Sequence, residues 1–151
     1  MEKYYLSWKE VFEWCDKIEI FYQPTMREPL KVYGIPRGGL CLAGVLCDYT
    51  PFCDLVVDIE EATLIVDDIL DSGRTKKKYQ KLNKEAAFEA LVDKKKNKKW
   101  KDDKRWIIFP WENDKTDDFD DNLVRVLEYF GKNTSKKSIM LLKLKLQEVL
   151  A

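Results

Sequence analysis

The chain has 151 residues, with 27 lysines and arginines balanced by 27 aspartates and glutamates, four cysteines and no histidine. That length predicts one domain with enough core to fold alone, and a net charge of zero gives no global pull towards nucleic acid or an acidic membrane. Without histidine there is no Ser-His-Asp or Cys-His nucleophile system, no HExxH zinc site and no imidazole acid–base chemistry, so any catalysis rests on carboxylates, lysine, phosphate-binding backbone or a hard cation.

In chain order, Ser7 followed by Glu10 reads as a capping box opening a helix through Trp8, Val11, Phe12, Cys15 and Ile18. Pro24 and Pro29 bracket a loop. Lys31 to Ile35 is a short predicted strand running into Pro36-Arg-Gly-Gly39, and a helix is expected from Leu40 to about Cys47. Two β-branched segments follow, Asp54 to Ile59 and Ala62 to Ile69, separated by an acidic turn at Glu60 and Glu61. The second is apolar almost throughout, as for a strand covered on both faces. A turn from Leu70 to Gly73 leads into a helix carrying Lys76, Lys77, Lys78, Tyr79 and Leu82, and Ala87 to Asp93 is the next strand. The basic stretch Lys94 to Lys101 reads as a solvated hairpin tip before Arg105-Trp-Ile-Ile-Phe-Pro-Trp111.

Beyond that point the acidic patch Asp114 to Asp121 caps a predicted helix from about Asn122 to Phe130, with Gly131 at its C-terminal side. Ile139, Leu142, Leu146 and Val149 form one stripe of a last helix. Strands alternating with helices predict an α/β fold: a single domain with a mostly parallel twisted sheet flanked by helices. Its core spans about residues 1–112, and a helical C-terminal extension occupies about 117–151. Cys15, Cys41, Cys47 and Cys53 form no CxxC pair and read as buried free thiols. No apolar run reaches the roughly 20 residues that span a bilayer, and MEKYYLSWKE is unlike a signal peptide. Cytoplasmic localisation is the expectation, with no membrane or nucleic-acid partner.

The chemistry concentrates in Thr63-Leu-Ile-Val-Asp-Asp-Ile-Leu-Asp-Ser-Gly-Arg-Thr75. A buried strand delivers Asp67 and Asp68 at its carboxyl end, where open α/β sheets bind ligands. The turn Asp71 to Thr75 then offers backbone N–H groups, the Ser72 and Thr75 hydroxyls and a glycine, Gly73, at the start of a helix, which is a recipe for holding a phosphate monoester. GxxxxGK[ST] and GxGxxG are both absent, which sets aside a P-loop and a dinucleotide fold. Adjacent rather than alternating carboxylates argue against an aspartyl-phosphate hydrolase. Adjacent residues of a regular strand face opposite ways, so one of Asp67 and Asp68 is expected to reach a ligand and the other to anchor nearby backbone.

Leu64 to Thr75 resembles the phosphoribosyl pyrophosphate (PRPP) signature of the type I phosphoribosyltransferases. Gly34-Ile-Pro-Arg-Gly-Gly39 is similar to the pyrophosphate-binding loop of those enzymes, and Trp106-Ile-Ile-Phe-Pro-Trp-Glu112 to the purine-recognition segment of their xanthine-guanine branch. Glu2 to Trp8 also resembles the start of that branch. The resemblance implies Mg²⁺-dependent transfer of phosphoribose from PRPP to xanthine, guanine or hypoxanthine, giving the nucleoside monophosphate and pyrophosphate, in a homo-oligomer.

By the same resemblance, Asp67, Asp68, Asp71, Ser72, Gly73, Arg74 and Thr75 bind PRPP, with Asp68 and Asp67 towards the metal. Asp71 exchanges a proton with purine N7, and Arg37, Gly38 and Gly39 cradle pyrophosphate. The peptide entering that loop is often cis in the family, though the Ile35–Pro36 junction is not the position carried over. Trp106 stacks on the purine, unless it is a core tryptophan, and backbone at Trp106 and Ile107 reads the base edge. Lys94, with Lys95 and Lys96 as rivals, meets an exocyclic oxygen. The sequence departs from the family between Leu40 and Val66, where a helix and two short strands replace a long mobile lid. A non-catalytic PRPP or nucleotide sensor is therefore the second reading.

Overall fold

The computed structural model describes residues 2–112 of the chain. The acidic patch and both predicted C-terminal helices lie outside the described residues. The elements are β1 (Lys3–Tyr5), α1 (Trp8–Tyr22), β2 (Leu30–Gly34), α2 (Gly38–Tyr49), β3 (Cys53–Leu55), β4 (Leu64–Leu70), α3 (Arg74–Gln80), β5 (Ala87–Asp93) and β6 (Trp106–Ile108), with 3₁₀ turns at Gln23–Thr25 and Ile59–Glu61.

All strand pairs among the described residues are parallel. They divide into a four-stranded sheet, β3-β2-β4-β5, and a separate pair, β1-β6. From β2 the chain moves through α2 to β3 on one side, then returns to place β4 on the other. That reversal opens a crevice between the carboxyl ends of β2 and β4, the usual ligand position in such sheets.

The local reasons are those of the sequence. Ser7 Oγ accepts the Glu10 amide at 3.2 Å while the Glu10 carboxylate reaches back to the Ser7 amide, so α1 begins on a complete capping box. Two apolar layers cover the four-stranded sheet. One packs Val32, Leu64 and Val66 against Val11, Trp14, Leu42 and Val45 of α1 and α2, and the other gathers Tyr33, Ile65 and Phe88 beside Tyr79 of α3. The thiols of Cys15, Cys41 and Cys53 are buried, Cys47 is half-buried, and all four are free.

Three expectations need correction. The segment from Asp54 to Ile59 gives only the short β3: Val56 N makes the last ladder bond, to Val32 O, and the chain then leaves the sheet for a 3₁₀ turn at the two glutamates. Leu82 lies beyond the end of α3. The basic stretch Lys94 to Lys101 is no hairpin tip, since β5 and β6 belong to different sheets. It is a folded crossing whose turns are held by Asp93 Oδ1, which accepts the Lys95 and Lys96 amides at 2.9 and 3.0 Å. Trp100, 3% exposed, pins its far end in the core.

Candidate active site

The crevice holds a cleft of about 300 Å³ bordered by Ile35, Pro36, Asp67, Asp68, Ile69, Leu70, Asp71, Ser72, Gly73 and Thr75. Strand β4 supplies the paired acids from its buried end. Alternation along Leu64, Ile65 and Val66 breaks there: the β4–β5 ladder skips Asp68, Ile69 joins the α1/α2 layer and Leu70 the opposite one. Both acids therefore border one cleft, where strict period two would have sent them to opposite faces. Each carboxylate accepts the following amide at 2.9 Å, Asp67 from Asp68 N and Asp68 from Ile69 N.

Asp67 is 7% exposed. Burial, then the charge of Asp68, raises its carboxyl well above the usual range, and burial raises Asp68 as well. The pair is thus poised to hold a proton, or to give it up to a cation.

The loop from β2 closes the opposite wall. Its Pro36–Arg37 peptide is cis, one bond beyond the Ile35–Pro36 junction. Arg37 is exposed beside the cleft, and its carbonyl accepts the Leu40 and Cys41 amides at 3.2 and 3.3 Å. Gly38 abuts the Asp68 carboxylate, so a Cβ there would lie 2.5 Å from Asp68 Cγ. Gly39 lies against β4 itself, where a Cβ would meet Val66 O at 2.6 Å.

The third wall is the turn after β4. Gly73 has φ 86°, a left-handed conformation that side chains resist, and it ushers the chain into α3. Ser72 Oγ accepts the Arg74 amide at 3.3 Å, and Asp71, Ser72, Arg74 and Thr75 are exposed.

Asp71 also borders a neighbouring cleft of about 400 Å³ with Lys94, Lys101, Asp102, Asp103 and Lys104. The structure separates Lys94 from its rivals. Its amide donates to Leu70 O at the end of β4, and its Nζ donates to Asp103 O at 3.0 Å, whereas Lys95 and Lys96 are exposed. Trp106 is 58% exposed and so is no core tryptophan, while Ile107 beside it is buried. Neither borders the two clefts. The Asp103–Arg105 pair escaped sequence reading because it lies within a charge run that looks solvated throughout; the only signal was the two-residue spacing of opposite charges.

Among the described residues no group of three or more potential metal ligands occurs, and no helix is long and apolar enough to cross a membrane. Two carboxylates at one cleft suit a cation such as Mg²⁺, which takes few protein oxygens and relies on water and substrate phosphates for the rest.

Among solved structures, the fold is similar to the crystal structure of a purine phosphoribosyltransferase from Pyrococcus horikoshii Ot3, with a TM-score of 0.50 and 20% sequence identity over 75% of this chain and 96% of that one. No family model matches the sequence, and neither does any curated protein. The likeness shows the fold, an α/β arrangement of parallel strands flanked by helices like that of a phosphoribosyltransferase.

Proposed function

We propose that the chain is a purine phosphoribosyltransferase that joins PRPP to xanthine, guanine or hypoxanthine and releases pyrophosphate. The observation that carries this reading is the convergence of three loops on one crevice: paired acids at the end of β4, the hydroxyl and glycine turn 71–75, and the glycine loop 36–39. The fold likeness to a solved purine phosphoribosyltransferase supports it.

In this reading the turn Asp71 to Thr75 takes the 5-phosphate on backbone amides and hydroxyls, and Arg37 with Gly38 and Gly39 takes pyrophosphate. Asp68 and Asp67 hold the ribose hydroxyls and, with the pyrophosphate, Mg²⁺, which supplies charge neutralisation to the leaving group. Asp71 accepts or returns the N7 proton of the purine, work for which the chain has no histidine. Lys94 offers donors to an exocyclic oxygen, favouring oxopurines over aminopurines. The Trp106 ring lies outside both clefts, so it covers the base only from beyond their rim, and its amide, which donates to Glu2 O, is not free to read the base edge.

The test is nucleotide formation from PRPP with each of the three bases and Mg²⁺. Turnover with at least one base is expected. PRPP binding without turnover on any base would replace this reading with the sensor, which the short stretch of residues 50–63 between α2 and β4 favours.

A further inference from the structure

Lys94 borders the second cleft, which shares Asp71 with the first, yet a lysine side chain has much rotational freedom to lose on engaging a base. Its main chain is fixed to β4 through Leu70 O. Its ammonium is fixed by a different group, the main-chain oxygen of Asp103, nine residues further on.

That oxygen is held in turn. The Asp103 carboxylate accepts the Arg105 amide at 3.0 Å and Arg105 Nε at 3.0 and 3.2 Å, and it forms an ion pair with Arg105 Nη2. The Arg105 guanidinium lies over the Tyr4 ring at 4.4 Å. Tyr4 donates its hydroxyl to Glu10 of α1 and meets Trp100 edge-on at 5.3 Å. Strand β1 and helix α1 thus anchor the crossing that carries Lys94. The guanidinium beside it holds the Asp103 carboxyl down at about 2, so this clamp is charged across the physiological range.

We propose that Asp103 is a positioning residue for Lys94, its carboxylate locked by Arg105 so that its main-chain oxygen pre-orients the lysine ammonium for the purine oxygen. The inference rests on the proposed phosphoribosyl transfer and goes beyond it by adding Asp103, Arg105 and Tyr4 to base selection. Pre-orientation lowers the cost of binding the base and leaves PRPP binding and the chemical step alone.

The experiment is a cycle of Asp103→Ala, Lys94→Ala and the double variant on the full chain, with Asp103→Asn and Arg105→Lys as conservative controls. Asp103→Ala should raise KM for the best oxopurine about tenfold, with kcat and KM for PRPP within about twofold of wild type. In the Lys94→Ala background the same substitution should change nothing further, and Asp103→Asn, which still offers an oxygen to Arg105, should recover part of the loss.

An unchanged purine KM in Asp103→Ala, or the same increment with Lys94 already removed, would overturn the proposal while leaving phosphoribosyl transfer in place. Equal losses in PRPP binding would identify Asp103 as merely structural. No turnover by wild type on any purine would overturn the transferase reading and this proposal together.

Discussion

Asp71 is the residue on which the proposed chemistry turns. Asp71→Asn keeps the size of the side chain, and with Gly73 as the N-cap of α3 it leaves the helix start alone, but it removes the ability to take a proton. Its kcat should fall about 10²–10⁴-fold while PRPP affinity stays near wild type, and single-turnover rates beside PRPP titrations check the split. Asp67 makes a different prediction. Its raised carboxyl keeps a proton in the native state at pH values where the unfolded chain has released it. The native state therefore binds more protons there, and stability falls as pH rises through that window. Asp67→Asn removes the titration, so the variant should match wild type near pH 4 and exceed it by about 1–3 kcal/mol near pH 9. Thermal melts at the two pH values decide it, and an equal offset at both would exclude the mechanism. The glycines separate the same way. Gly38→Ala presses on the movable end of Asp68 and should weaken Mg²⁺–PRPP binding with little loss of stability. Gly39→Ala meets the Val66 carbonyl, which cannot yield, and should cost about 1–3 kcal/mol in chemical denaturation.

At the scale of elements, local signals governed what the sequence revealed. The Ser7 and Glu10 pair marked the start of α1, and Ser7→Ala should cost about 1 kcal/mol, read from denaturant midpoints. Ala87–Asp93 lies where its apolar run placed it, between a polar turn and a charge run. What failed was long-range. The segment after Cys53 has strand-forming residues, but only Cys53 to Leu55 pair with β2, and the chain then leaves the sheet for the 3₁₀ turn at Ile59–Glu61. The crossing after Asp93 looked like a hairpin because its lysines hid the one residue that decides its path, Trp100, which is buried against Tyr4. The pairing of β1 with β6 joins residues about a hundred positions apart, and no periodicity within either three-residue strand announces it. The acids of β4 were legible as a pair, but their shared orientation was not, since it arises from the break in the ladder at Asp68.

For the molecule as a whole, the two sheets meet through the crossing between β5 and β6. The four-stranded sheet supplies the walls of the first cleft, and the β1–β6 pair, through Tyr4 and Arg105, anchors the crossing with Lys94 beside the second. Between α2 and β4, residues 50–63 hold only β3 and a 3₁₀ turn close against the sheet. Those residues border neither cleft. Catalysis of glycosyl transfer gains from excluding water, because an oxocarbenium-like centre reacts with any nucleophile within reach. If nothing else covers the cleft, water competes with the purine. The expected outcome is that PRPP and Mg²⁺ alone yield pyrophosphate and ribose 5-phosphate, at a rate within about tenfold of nucleotide formation at saturating purine. Pyrophosphate release measured with and without base gives this ratio directly, and Asp71→Asn should slow transfer more than hydrolysis, because water needs no N7 proton exchange. Fast transfer with negligible release in the absence of base would show the crevice to be closed during turnover, by another part of the chain or by a second copy of it.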